Sequence, residues 1–302
     1  MNKYTFGPIH SRRFGLSLGI DLSPDEKSCN FDCLYCELKG AKPTDTIKNP
    51  PLVDHIIAEV QKKLQEEDKI EVITITSNGE PTLYERLDEL VEKLNKIKGE
   101  KKLLILSNGS TIDKDSIQDT LKKIDIIKLS LDCATKKCFK KIDRPLKNIN
   151  LDNIKNGILK FRKIYNGELV IEILVLKGIN DNKNEMQELN KILNQIKPNR
   201  IDLGTIDRPP AYEISGVSTD KLVELSNYFE NLPISIIHKN RSAKMIDYTK
   251  NEILFMLKRR PQSDSDVQYL FSDISKNNLK ELENNGLIKK ISIASVNFYK
   301  IQ

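Results

Sequence analysis

The feature that most restricts the fold of this 302-residue chain is a regular alternation of short apolar runs with amphipathic helical segments. Runs rich in β-branched and other apolar residues occur at 14–22, 70–76, 102–106, 124–131, 168–176 and 200–206. Between and after them, helical patterns occupy 54–67, 84–97, 114–122, 151–163, 184–196 and 219–230. This order is typical of βαβ units around a parallel sheet. Six units predict either a curved partial barrel or an open doubly wound sheet, because a closed barrel needs eight.

The last part of the chain has a different order, with three helical segments followed by two strands. We expect helices at 251–259, 265–271 and 276–285, then strands at 288–293 and 296–301. This is the order of a winged helix, in which Leu279, Leu282 and Leu287 would face the core and Gly286 would end the third helix. We therefore predict a barrel domain at 1–238 and a winged-helix-like domain at 247–302, joined by the polar segment 238–244.

The net charge of +6 is unevenly distributed along the chain. From Lys239 to the end there are twelve basic and seven acidic residues, a net charge of +5, so the preceding part is nearly neutral. A basic tail either contacts an anionic partner or is a solvated surface, and charge alone favours neither interpretation.

The hydropathy of the chain and the number and spacing of its cysteines indicate in which cellular compartment we expect it. The sequence has no run of about 18 apolar residues, so we expect no membrane span, and the N-terminal residues do not resemble a signal peptide. Five cysteines, of which three lie within 29–36, fit metal binding or catalysis better than disulfides. We expect a cytoplasmic protein.

The cluster CNFDCLYC places Cys29, Cys33 and Cys36 within eight residues. A structural zinc site needs four ligands, and His10, His55 and His238 do not have zinc-finger spacing. Iron–sulfur clusters are normally held by thiolates. Three thiolates on a four-iron cluster leave one iron open to a small molecule with amino and carboxylate groups, such as S-adenosylmethionine.

The Cys29-x3-Cys33-x2-Cys36 stretch, with Tyr35 before the last thiol, resembles the signature of the radical S-adenosylmethionine (radical SAM) superfamily. The longer run at 11–37 resembles the branch that includes the wyosine-base synthases, which modify a guanosine in tRNA; the resemblance extends from about residue 6 to 240. It implies a (βα)6 partial TIM barrel, a [4Fe–4S] cluster on the three cysteines, S-adenosylmethionine, and a reductant such as flavodoxin or ferredoxin. Unlike wyosine synthases, the chain has no cysteine in residues 1–28.

The same resemblance assigns cofactor contacts at the ends of successive strands. Gly79 and Glu80 would meet the methionine amino group, Ser130 and Asp132 the ribose, and Tyr35 the adenine; Asn108 is a further candidate. Each has a structural alternative: Gly79 and Asn108 suit turns, and Tyr35 could be a packing aromatic. For Glu80, a turn interpretation provides no role.

Three residues are candidates for substrate binding. Arg208, in the DRPPAY segment at 207–212, could bind a phosphate or carboxylate, or the prolines could simply fix the loop. Lys128 and Glu172 could point into the barrel or form a salt bridge at its rim. Outside these three, Arg12 and Arg13 could bind an anion, but exposed arginines usually have no specific role. No catalytic residue is identified.

Cys133 and Cys138 are expected to be structural, because free cysteines are commonly buried. The sequence thus predicts a radical SAM enzyme acting on tRNA or another RNA. The alternatives are a radical SAM enzyme with a protein or peptide substrate, and a non-catalytic metal-binding regulator with a winged helix.

Overall fold

A computed structural model describes residues 3–11, 13–236, 245, 247–259, 261–293 and 296–302. Its main element is an eight-stranded sheet whose strands lie in chain order. The strands are β1 Thr5–Ser11, β2 Gly15–Asp21, β3 Val72–Thr76, β4 Lys102–Ser107, β5 Ile126–Ser130, β6 Glu168–Val175, β7 Arg200–Thr205 and β8 Ile234–Ile236. Only β1 is antiparallel to its neighbour; β2 to β8 pair in parallel. The predicted α/β fold with a partial barrel is confirmed.

Seven helices follow these strands. They are α1 Val53–Glu66, α2 Leu87–Ile97, α3 Asp115–Leu121, α4 Lys136–Ile142, α5 Leu151–Arg162, α6 Lys183–Ile196 and α7 Thr219–Ser226. Alternate strand residues such as Leu18, Ile73 and Ile105 are fully buried against them in one apolar core. This arrangement follows from the two-residue period of a strand, which places every second side chain on the helix-covered face.

The opposite, inner face of the sheet has its own small apolar cluster. It consists of Val72, Leu104, Ile126 and Val170, with Phe14 from the β1–β2 turn packed against them. Two residues further along their strands, the inner face carries polar side chains, among them Thr74 and Lys128. The N-terminal end of the barrel interior is therefore apolar, and the interior becomes polar toward the C-terminal ends of the strands.

The C-terminal residues form a second sheet and a second apolar cluster. The elements are α8 Lys250–Arg259, β9 Gln262–Ser263, α9 Asp264–Leu270, α10 Asp273–Asn284, β10 Ile288–Ile293 and β11 Val296–Ile301, with sheet order β10-β11-β9. Leu279 and Leu282 are buried as expected, but Leu287 is 49% exposed, so that prediction is wrong. The chain turns at Gly286, where φ is +69°, and Leu287 no longer follows the helical period. The segment 238–244 lies outside the described residues.

Three barrel elements and one covalent bond differ from expectation. Two strands that were not predicted, β1 and β8, add to the six predicted ones. Helix α4 was not predicted because its four lysines obscure its apolar face in the sequence. Cys133 and Cys138 are buried as expected, but they form a disulfide, which the cysteine count did not favour. No described helix has the length and apolar character needed to cross a membrane.

Candidate active site

The three clustered cysteines lie on the loop between β2 and α1, which we call the cysteine loop (residues 22–52). Cys29, Cys33 and Cys36 are all free thiols. The loop begins beside the end of β3, where Ser28 N donates to Asn78 O at 2.8 Å and Glu80 N donates to Ser28 O at 2.9 Å. A Cβ at Gly79 would lie 1.7 Å from Ser28 O. Gly79 is therefore needed so that the backbone of the cysteine loop can approach the sheet.

The middle of the cysteine loop is held by the C-terminal end of α4. Asp32 N donates to Asp143 O at 3.0 Å, and Leu34 N donates to Ile142 O at 2.9 Å. The Cys33 thiol donates to Asp143 Oδ1 at 3.5 Å. The backbone on both sides of Cys33 is thus anchored to one helix end.

The DRPPAY segment after β7 holds the loop from another side. Ala211 N donates to Cys36 O at 2.8 Å, and the Tyr212 hydroxyl donates to Asp32. Arg208 forms an ion pair with Glu37. Arg208 was a candidate for binding a substrate anion, but in the structure its charge interacts with those of Glu37 and Asp207.

Asp32, between the first two cysteines, is the centre of these contacts. Lys27 Nζ lies 3.2 Å from its carboxylate, and Arg144 lies 3.1 Å away while its guanidinium sits 4.4 Å from the Tyr212 ring centroid. Burial raises the pKa of Asp32, but hydrogen bonds from Tyr212 and Lys27 outweigh it, and the pKa lies below its usual value. A charged carboxylate that accepts hydrogen bonds from several donors holds those donors in defined positions.

Glu80 is buried and accepts four hydrogen bonds. They come from Thr82 N and Thr82 Oγ1, from Ser107 Oγ, and from Asn108 N at 2.6 Å. The inference that a turn leaves Glu80 without a role is therefore wrong, because its carboxylate joins the ends of β3 and β4. Burial raises the pKa of Glu80, although these hydrogen bonds oppose the shift.

Asn108 connects this strand end to the first cysteine. Its amide nitrogen lies 3.7 Å from Cys29 Sγ and donates to Asn30 Oδ1 at 2.9 Å. Burial, followed by the charge of Glu80, raises the pKa of Cys29 to about 12. Burial also raises the pKa of Cys33, helped by the charge of Asp143. Thiols bind metals as thiolates, so metal binding at these residues releases protons.

Ser130 is the last residue of β5, and Asp132 lies two residues further on. Both line a cleft of about 10 Å³ that is also bordered by Asn108 and by the core residues Phe139 and Ile154. Within the described part of the chain, the Ser130 hydroxyl has no hydrogen-bond partner. Asp132 is engaged on both oxygens: Leu174 N donates to Oδ1 at 2.7 Å, and the Tyr35 hydroxyl donates to Oδ2 at 2.6 Å. Burial raises the pKa of Asp132 to about 7, against the effect of these two hydrogen bonds.

Lys128 and Glu172 meet on the inner face of the barrel. Lys128 Nζ lies 2.5 Å from Glu172 Oε1 and 3.6 Å from Asp202 Oδ2. Asp202 is fully buried and also contacts Arg13 and, at 2.9 Å, Arg200. The two candidates are thus paired with each other, and Arg13, expected to bind an anion, pairs with Asp202. Arg12 lies outside the described residues.

Comparisons with known proteins identify the family. The family model of the radical SAM superfamily matches residues 27–189, which include the cysteine loop and strands β3 to β6. The chain belongs to the radical SAM superfamily. Members of this superfamily are enzymes that use a [4Fe–4S] cluster and S-adenosylmethionine, which excludes the non-catalytic regulator.

Individual relatives cover the chain to different extents. The UPF0026 protein of Helicobacter pylori is 39% identical over 97% of this chain and 96% of its own. A probable dual-specificity RNA methyltransferase RlmN of Exiguobacterium sibiricum is 25% identical over 60% of this chain and 51% of its own. The solved structure of TYW1 with a lysine–pyruvate adduct bound has a TM-score of 0.52 and 19% identity, over 78% of this chain and 77% of that one. It shows the shared fold.

The donor set fits what a radical SAM cluster requires, namely three free thiols on one anchored loop at the C-terminal edge of the sheet. Among the described residues, the side chains are not drawn together into a preformed metal site. Sequence reasoning missed Asp32, Asp143 and Tyr212, which hold the loop. A signal was present: the tripeptide Asp-Arg-Pro occurs at 143–145 and again at 207–209, and both copies contact the loop.

Proposed function

We propose that Cys29, Cys33 and Cys36 hold the [4Fe–4S] cluster of a radical SAM enzyme whose substrate is tRNA or another RNA. The observation that carries this proposal is the position of the three free thiols on one loop, anchored to the ends of β3 and α4. When bound, the cluster supplies the electron that cleaves S-adenosylmethionine to methionine and a 5′-deoxyadenosyl radical, which abstracts hydrogen from the substrate.

The residues around the loop would position S-adenosylmethionine. We expect the Ser130 hydroxyl and one Asp132 oxygen to bind the ribose, Tyr35 to lie against the adenine, and the Gly79–Glu80 backbone to meet the methionine end. Tyr35 donates to the Asp132 oxygen that would face the ribose. Binding would therefore require Tyr35 to release Asp132.

RNA as the substrate is supported by two observations. One relative is named as a probable RNA methyltransferase and is 25% identical over 189 residues. The cysteine motif and its flanks also resemble the wyosine branch, whose substrate is tRNA. A reductant such as flavodoxin or ferredoxin would supply the electron. A cytoplasmic location is part of the same proposal.

We also propose that residues 247–302 form a winged-helix-like domain and residues 1–238 the barrel domain. Three helices precede the β10–β11 hairpin, and the three-stranded sheet is antiparallel. Ile253, Phe271, Leu279 and Leu282 form an apolar cluster separate from that of the barrel. These contacts would allow the two parts to fold around different cores.

The metal assignment is tested by iron and sulfide analysis after anaerobic reconstitution. Wild type should bind about four iron and four sulfide per chain, as the [4Fe–4S] stoichiometry requires. Cys29→Ala, Cys33→Ala and Cys36→Ala should each lose most of this iron. The Cys133→Ala/Cys138→Ala double variant is the matched control and should retain it. Zinc uptake in place of iron by wild type would contradict the assignment.

The substrate class is tested separately, by mass spectrometry of tRNA nucleosides from cells with and without the gene. We expect at least one modified nucleoside to be missing without the gene. An unchanged nucleoside profile in tRNA and ribosomal RNA would exclude RNA and leave a protein or peptide substrate.

A further inference from the structure

The most basic short segment of the chain lies beside the cysteine loop, in α4 and the turn that follows it. Residues 136–147 contain six basic residues and one acidic residue. The acidic residue is Asp143, which is buried against Cys33. The exposed charge of this segment is therefore entirely positive.

The lysines of α4 share one exposed face. Lys137, Lys140 and Lys141 have the i, i+3, i+4 spacing that places side chains together. Cys138, Phe139 and Ile142 on the other face are buried in the core. Within the described residues, no acidic side chain pairs with these three lysines or with Lys147, whereas Lys136 pairs with Asp152.

The charges of α4 are partly unfavourable for the helix itself. Its first turn contains Lys136 and Lys137 and no acidic residue, although the positive end of the helix dipole favours acids there. Lys137 and Lys141 are also like charges at i, i+4, an arrangement that destabilises a helix. Lys140 and Lys141 suit the last turn, near the negative end of the dipole, but helix stability does not explain Lys137, whereas an anionic ligand would.

Backbone hydrogen bonds place this surface next to the three cysteines. Ile142 O and Asp143 O, at the end of α4, accept from Leu34 N and Asp32 N. Lys137 lies only about 8 Å along the helix axis from Ile142, because a helix rises 1.5 Å per residue. An anion bound on α4 would lie beside the mouth of the active site.

We propose that Lys137, Lys140, Lys141 and Lys147, which we call the α4 strip, bind phosphates of the RNA substrate and hold it against the cysteine loop. This inference rests on the proposed function, because it assumes an RNA substrate. Lysine is a flexible point charge that suits contacts with phosphates.

A neighbouring cavity favours RNA over other polyanions. A cavity of about 210 Å³ lies directly after the strip, lined by Asn148, Asn150 and Asn153 and by the acidic Asp45 and Asp113, among others. An amide offers both a donor and an acceptor, the combination that recognises the edges of nucleobases. Phosphate contacts from the strip and base contacts in the cavity would act on adjacent nucleotides.

The C-terminal residues are less suited to this role. Lys250 pairs with Glu281, Lys276 lies near Asp273, and Lys290 pairs with Asp264. Among the described lysines there, Lys258, Lys280, Lys289 and Lys300 have no acidic partner. Lys280, Lys289 and Lys300 provide a matched control with the same change in charge.

The experiment measures binding of full-length protein to deproteinised bulk tRNA at several salt concentrations. Lys137→Gln/Lys140→Gln/Lys141→Gln should weaken binding at least tenfold at low salt. It should also reduce the slope of log K against log salt by about 2 to 3, because each lost phosphate contact contributes a little less than 1. Lys280→Gln/Lys289→Gln/Lys300→Gln should change both quantities much less.

A second measurement does not depend on a variant. Photo-crosslinking of wild-type protein to tRNA, followed by peptide mapping, should recover crosslinks within 136–153. Wild-type affinity and salt slope in the strip variant, or crosslinks confined to 247–302, would overturn the inference while leaving an RNA substrate intact. Absence of tRNA binding by wild type would overturn both this inference and the proposed substrate, but not the cluster assignment.

Discussion

The Tyr35 hydroxyl donates a 2.6 Å hydrogen bond to Asp132 Oδ2, joining the cysteine loop to the end of β5. Both residues were predicted to contact S-adenosylmethionine, and in the structure they contact each other. The bond therefore occupies an oxygen that we assign to the ribose.

Replacing Tyr35 with Phe tests whether the ribose takes the place of the Tyr35 hydroxyl as the partner of Asp132. The variant leaves a buried acceptor without its donor, which should lower the free energy of unfolding by about 1–3 kcal/mol. Bound S-adenosylmethionine should recover much of that loss, because a ribose hydroxyl replaces the tyrosine. Thermal unfolding with and without cofactor measures the difference.

Tyr84→Phe provides the control for that experiment. Tyr84 is also buried, and its hydroxyl donates to Pro51 O at 2.6 Å, away from the cleft. The Tyr84→Phe variant should also be destabilised, but S-adenosylmethionine should not restore its stability. Equal behaviour of the two variants would contradict the assigned role of Asp132.

Gly79→Ala should displace the start of the cysteine loop. Its Cβ would lie 1.7 Å from Ser28 O, in backbone that cannot easily move. We expect the variant to incorporate little iron on reconstitution. Gly99→Ala is the matched control, because Gly99 also has a positive φ, of 59°, but its Cβ would meet nothing within 4 Å. Normal iron content in Gly79→Ala would show that this contact does not position the loop.

Asp202→Asn should destabilise the barrel more than any change at Glu172. Asp202 is fully buried and pairs with both Arg13 and Arg200, so its loss breaks two largely buried ion pairs, at a cost of about 3–5 kcal/mol, although Arg200 keeps Glu168 as a partner. Glu172 is 32% exposed, and Glu172→Gln should cost about 0–1 kcal/mol. Chemical denaturation measures the free energy of unfolding of both variants. A larger decrease for Glu172→Gln than for Asp202→Asn would contradict the prediction.

Tyr212→Phe removes the hydroxyl that bonds to Asp32, next to Cys33. We expect faster proteolysis of the cysteine loop and faster loss of iron from the reconstituted protein in air. Tyr228→Phe, on the outer layer of the barrel, should behave as wild type. Unchanged proteolysis and iron loss in Tyr212→Phe would show that the DRPPAY segment does not stabilise the loop.

The barrel was largely predictable because its parallel strands are nearly continuous apolar runs, such as VITIT and LVIEILV. The strands β1 and β8 were not: β1 contains Gly7 and Pro8, and β8 has only three residues. Helix α4 was missed because Lys136, Lys137, Lys140 and Lys141 obscure its period.

The candidate site was predictable only in part. Motif spacing identifies the three thiols and the strand-end residues, because those are local in sequence. The contacts of Arg208 with Glu37 and of Tyr212 with Asp32 join residues 171 and 180 positions apart. No local pattern specifies such pairs, and Glu80 appeared free for a ligand because two of its donors, Ser107 and Asn108, lie at the end of another strand.

The most direct test of the central claim is the quantity of 5′-deoxyadenosine formed when reconstituted protein is incubated anaerobically with S-adenosylmethionine and dithionite. Wild type should form it, and Cys29→Ala, Cys33→Ala and Cys36→Ala should each form no more than a protein-free blank. The account would be contradicted if wild type with a full complement of iron and sulfide formed none, or if any of the three variants formed as much as wild type.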